Sequence, residues 1–88
     1  MDLETLRKKL HDTNVPERWY SINDGLKPDA CIIIKNYFIW ECFYYSERGD
    51  KLDYISAGED ESAYQWLWEK MESQLKTFKI LPKETENR

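Results

Sequence analysis

The sequence predicts an α+β fold of two layers: a short antiparallel β-meander of three to four strands, packed by an N-terminal helix and a longer C-terminal one. Three observations carry this. Residues 30–56 concentrate β-branched and aromatic side chains and are interrupted by one Glu47-Arg48-Gly49-Asp50 cluster, the pattern of short strands joined by tight turns. Residues 2–12 and 60–78 instead repeat apolar side chains at spacings of three and four, the period of a helix with one buried face. The chain is 88 residues long, room for one core shared by all these elements, so residues 1–81 are expected to form one domain and 82–88 a polar, flexible tail.

In chain order, Leu3, Leu6 and Leu10 form the stripe of the first helix, with Asp2 placed to cap it and Lys8, Lys9 and Asp12 facing water. Thr13-Asn14-Val15-Pro16 ends it, because the residue before a proline is pushed out of the α region and Asn favours turns. Trp19-Tyr20-Ser21-Ile22 is a candidate first strand, and residues 23–29, with Gly25 and Pro28, read as a loop. Strands are expected at 30–35 and 38–45. A two-residue turn at Asn36-Tyr37 would place Ile34 opposite Ile39, Ile33 opposite Trp40 and Cys31 opposite Cys42. One face would then hold Cys31, Ile33, Trp40, Cys42 and Tyr44, and the other Ile32, Ile34, Ile39, Glu41, Phe43 and Tyr45.

Residues 46–51 make the next turn, where Gly49 supplies the positive φ, and 52–56 returns as the last strand with Tyr54 opposite Phe43 and Ile55 opposite Cys42. Ser56, Gly58 or Asp60 is expected to cap the second helix, and Glu59, Asp60 and Glu61 suit the positive end of its dipole. The stripe of that helix is Ala63, Leu67, Met71, Leu75 and Phe78, widened by Tyr64 and Trp68, while Trp66 points elsewhere. If both helices cover the Trp40 face, the opposite face is left apolar and open. A partner, a second copy or the N-terminal helix would have to cover it.

Composition narrows the function. The net charge is −4, which disfavours nucleic acid and anionic membranes, since both attract an excess of Lys and Arg. Residues 41–61 hold seven acidic side chains against Arg48 and Lys51, a patch that either steers a basic protein or serves as a solvated face. No stretch reaches the length of a membrane span, and residues 1–9 lack a secretory pattern, so a cytoplasmic location is expected. Cys31 and Cys42 could bridge in the register above, whereas a reducing cytoplasm and the habit of free Cys to pack as a small hydrophobe favour buried thiols. With a single His11, the two thiols make no zinc site. One histidine without a fixed partner is a poor general base, consecutive acids at a helix start lack a pocket that splits their pKa values, and three isolated glycines make no phosphate loop. Neither an enzyme nor a cofactor is expected.

The chain resembles the small immunity proteins found beside polymorphic toxins in bacteria. The resemblance lies in Val15-Pro16 and Trp19-Tyr20-Ser21-Ile22, in Trp40-Glu41-Cys42-Phe43-Tyr44-Tyr45-Ser46-Glu47-Arg48-Gly49, and in Glu59-Asp60-Glu61-Ser62-Ala63 opening a helix, and it covers residues 15–68. It implies a toxin inhibitor that acts by occlusion and carries no catalytic residues. An acidic surface would then speed association with a basic toxin domain, and a buried aromatic would anchor it. The expected partner-binding residues are Glu47, Asp50, Asp53, Glu59, Asp60 and Glu61 for charge, with Tyr45, Tyr54 and Trp66 as anchors. Two other readings stay open: a homodimer paired through the aromatic sheet face, and a small ligand-binding domain with a pocket between sheet and helix.

Overall fold

The computed structural model describes the backbone of residues 1–86 and the side chains of residues 1–77. Helix α1 (Leu3–Asp12) leads through a 3-10 turn (Glu17–Trp19) into strands β1 (Tyr20–Ile22), β2 (Ala30–Asn36), β3 (Ile39–Tyr45) and β4 (Lys51–Ala57), and the chain ends in α2 (Asp60–Glu86). The strands form one sheet in the order β1-β2-β3-β4. This is the two-layer α+β architecture the patterning predicts. Phe78 and the tail expected at 82–88 lie outside the described side chains.

Both ends of α1 are made by its own sequence. Asp2 accepts the Thr5 N–H at 2.8 Å, and hydrogen bonding from Thr5 holds its carboxyl below the usual value. At the other end Asn14 adopts φ 58°, its N–H donates to the His11 carbonyl, and the Val15 N–H donates to the Leu10 carbonyl. That is a Schellman closure with Asn in the left-handed position, and it buries Val15 near Leu10.

The sheet is mixed rather than wholly antiparallel: β1 runs parallel to β2, with Tyr20 beside Cys31 and Ile22 beside Ile33. Parallel neighbours usually need a crossover of about a dozen residues. Here β1 is three residues long, so the return is only about 10 Å and the short loop 23–29 spans it. Positive φ at Asn23, Gly25 and Asp29 curls that loop, and the Ser21 hydroxyl donates to the Gly25 carbonyl at 2.8 Å.

Strands β2 and β3 pair two residues away from the expected register. Asn36 faces Ile39, Ile33 faces Cys42 and Cys31 faces Tyr44, so the turn is Tyr37-Phe38. Because side chains alternate with period two, a slip of two leaves both faces as predicted. The thiols are no longer opposite each other, and both are free and buried. Burial pushes each of them up to about 11. Between β3 and β4 the expected pairing of Cys42 with Ile55 is present, but the register shifts so that Tyr44 meets Leu52. The extra residue is accommodated at Asp53, whose φ is 52°. Ser56, one of the expected helix caps, lies inside β4.

Leu6 and Leu10 of α1 and Ala63, Leu67 and Met71 of α2 pack with Ile22, Cys31, Ile33, Trp40 and Cys42 in one cluster, so both helices cover the same side of the sheet. Trp40 stands edge-on to Tyr64 with ring centres 5.5 Å apart. The opposite face is smaller and better covered than its composition implies. Ala30, Ile32 and Phe43 are buried there, with Ile34 and Tyr45 against them. Tyr54 stacks on the Phe43 ring at 6.1 Å, Tyr45 meets its edge at 6.3 Å, and the Lys51 ammonium lies 4.9 Å from its centre. The expected open apolar face is thus covered in part by side chains of β3 and β4 themselves, with Ile39 and Tyr54 still exposed.

Candidate functional site

The large apolar side chains still in water gather mainly at the β2–β3 turn and along β4. Tyr37 is 92% exposed and Phe38 83%, and the neighbouring Ile39 is exposed as well. Tyr37 holds φ 60°, a left-handed conformation that bulky residues seldom adopt. The base of this turn is tied to α2. Asp60, at the start of α2, accepts from the Trp40 indole at 2.8 Å and from the Lys35 ammonium at 2.9 Å. The indole, and then the ammonium, hold its carboxyl below the usual carboxylate range. On the open face Glu41 accepts from the Asn36 amide at 3.0 Å and from the Tyr54 hydroxyl at 3.1 Å. That donation raises the Tyr54 phenol.

Glu59 and Glu61 belong to this end of the molecule, because Trp40 pairs with Ala57 and the chain leaves the sheet there to begin α2. Tyr45, Glu47 and Asp50 do not. They sit at the β3–β4 turn, six residues along β3 from Ile39 and therefore about 20 Å away. There the Asp50 N–H donates to the Ser46 hydroxyl at 3.0 Å, and Gly49 takes φ 89°. Asp53 turns to the helix side and meets the Lys70 ammonium at 3.5 Å. Trp66 is half-buried on that side, with the same Lys70 ammonium 5.5 Å from its ring centre. Together with Met1, Ile55, Glu61 and Glu69 it lines a shallow groove between β4 and α2 of about 520 Å³.

The expected site residues therefore fall in four places. Glu59, Asp60 and Glu61 adjoin the exposed aromatic turn, Asp53 and Trp66 flank the groove, Tyr45, Glu47 and Asp50 stand at the far end, and Tyr54 belongs to the open face. Asp60 is committed to the fold by its two donors. Sequence reasoning missed Tyr37 and Phe38, and placed Ile39 on the open face without giving it a binding role. The signal was a hairpin turn without Gly, Pro or a usable Asn-Gly pair; once strand pairing makes Tyr37-Phe38 the loop, two aromatics occupy positions where turn chemistry favours small polar residues.

A second concavity, of about 260 Å³, opens between α1 and the loop after β1. Its lining includes Arg7 and Lys27 as well as Glu17 and Asp24, and burial raises the Tyr20 phenol on its wall. Among the described residues no group of three or more His, Cys, Asp or Glu could hold a metal ion, and no helix is long and apolar enough to cross a membrane. Comparisons with protein-family models, curated proteins and solved structures found no match.

Proposed function

We propose that this chain is a protein-binding module that neutralises a basic toxin domain by occlusion. The Tyr37-Phe38 turn enters the toxin's cleft and Glu59 and Glu61 meet its rim. The observation that carries this reading is the pair of rings held out in water at 92% and 83% exposure on a base hydrogen-bonded to α2. Folding gains little from them, and the left-handed backbone at Tyr37 costs about 1–2 kcal/mol. Binding would recover about 1.5–3 kcal/mol for each ring fully buried, the scale of a hot spot. The likeness to immunity proteins supplies the partner class. The charge beside the turn supplies the steering. A homodimer through the aromatic sheet face has less support, since Phe43 already lies under Tyr45, Tyr54 and Lys51.

The test is co-expression with the products of neighbouring open reading frames. The wild-type chain should restore growth against one of them, and Tyr37→Asn with Phe38→Ser should weaken the complex by about thirtyfold or more and lose the rescue. Equal rescue by the variant would remove the turn from the interface. Replacing Glu59 and Glu61 by Lys should slow association several-fold at low salt and flatten its salt dependence, whereas the same change at Glu47 and Asp50 should leave the on-rate unchanged.

A further inference from the structure

Strand β4 is an edge of the sheet, and its two halves differ. Residues 51–56 are all exposed, yet the first half is guarded in the ways that edge strands usually are: Lys51 lies on it and the bulge at Asp53 bends it. The second half, Tyr54–Ala57, is free of proline and pairs regularly with β3 from Ile55 to Ala57, and among the described residues no strand lies on its outer side. The opposite edge, β1, is only three residues long. Beside the open half of β4 runs the groove in which Ile55 and Trp66 face Glu61 and Glu69. Asp53 pairs with the Lys70 ammonium and Glu61 with the N-terminal ammonium, which leaves Glu69 as an acidic excess.

We infer that this edge is a strand-addition site for an extended basic segment of the partner. The segment pairs with Tyr54–Ala57 through main-chain hydrogen bonds. It lays the methylene stem of an Arg or Lys over Ile55 and Trp66, with the cationic head between Glu61 and Glu69. Side chains of the opposite parity fall beside Tyr54 on the other face and are aliphatic. Charge selects the occupant. A second copy of this strand would bring Glu61 and Glu69 against their own kind, while an arginine-bearing segment neutralises them. The inference deepens the toxin-binding reading and rests on it, giving the partner a second and extended point of contact.

The experiment uses the intact chain and a synthetic probe, acetyl-Val-Arg-Val-Arg-Val-amide, followed by amide hydrogen exchange. At ten times its Kd the probe should slow exchange at outward-facing amides of Tyr54–Ala57 by about tenfold. Methylating the probe's backbone nitrogens at either the Val or the Arg positions separates pairing from mere adhesion. In an added strand only one parity donates to β4, so one methylated form should bind about tenfold more weakly and the other should bind as before. Exchanging Arg for Glu in the probe, or Glu61→Gln with Glu69→Gln in the chain, should also weaken binding. Slowing that falls elsewhere, equal binding of the two methylated forms, or a concentration-dependent doubling of mass with no probe bound would overturn the inference. A chain that takes the probe on β4 yet rescues no toxin keeps the edge site and loses the toxin reading. A chain that rescues but does not take the probe there loses the edge site alone.

Discussion

The two hairpin turns of this sheet are built on opposite plans. The β3–β4 turn is polar: Gly49 supplies the left-handed residue, Ser46 and Asp50 close it with backbone and hydroxyl hydrogen bonds, and Glu47 and Arg48 stay in water. The β2–β3 turn places Tyr in the left-handed position and Phe after it, and both rings are exposed. The first turn minimises its own free energy. The second is strained locally and is held in place by its base, where Trp40, Lys35 and Asp60 tie the hairpin to α2. A strained, apolar and well-supported element of this kind is where function is expected to sit, and a relaxed polar turn is where it is not.

The largest expected effect falls on that support. Trp40 is 2% exposed, so Trp40→Ala should cost about 3–5 kcal/mol, read as a lowered urea midpoint. A cost near that of a surface substitution would mean that the aromatic turn is not anchored through this ring. The turns themselves should respond in opposite directions. Gly49→Ala places a Cβ in ordinary contact 3.5 Å from the Tyr45 hydroxyl, so its cost is the backbone alone, about 1–2 kcal/mol. Tyr37→Asn puts a residue tolerant of the left-handed region where Tyr is strained and should gain up to about 1 kcal/mol, while weakening the toxin complex proposed above. Thermal melts of the two variants check this, and shifts of the same sign would break the contrast between the turns.

The smallest effect is on acid stability. The folded pKa of Asp60 lies below the ordinary 3.8, so between the two values the unfolded chain binds a proton that the folded chain does not. Its contribution is present above about 3.8 and is lost as the pH falls through the depressed value. Asp60→Asn should flatten this acid limb in a pH series of urea midpoints. An unchanged limb would show that the indole and ammonium contacts do not hold Asp60 in solution.

Much of the fold was legible because it rests on local chemistry. Helix α1 begins at Asp2 and ends at Asn14 for reasons that lie within a few residues, and the face of each strand follows from alternation alone. The β2–β3 register was not legible, since Asn36 is a plausible turn residue and only pairing over the full length of both strands moves the turn to Tyr37-Phe38. Parallel pairing of β1 was hidden for a similar reason: strand direction depends on how a seven-residue loop is curled. Of the candidate site, the acids at the start of α2 were visible as charge. Their neighbours across the sheet were not.

The sequence by itself therefore determined two helices around a sheet of three to four short strands, the two faces of that sheet and the excess of acid between residues 41 and 61. Period and composition are properties of neighbours in the chain, and they survive a slip of two residues unchanged. Only the tertiary structure decided which acids stand beside which aromatics, which half of β4 is an open edge, and that Tyr37 and Phe38 are left in water. Those depend on strand register and on where α2 docks. Both are settled by packing between segments distant in the chain, which local propensity does not encode.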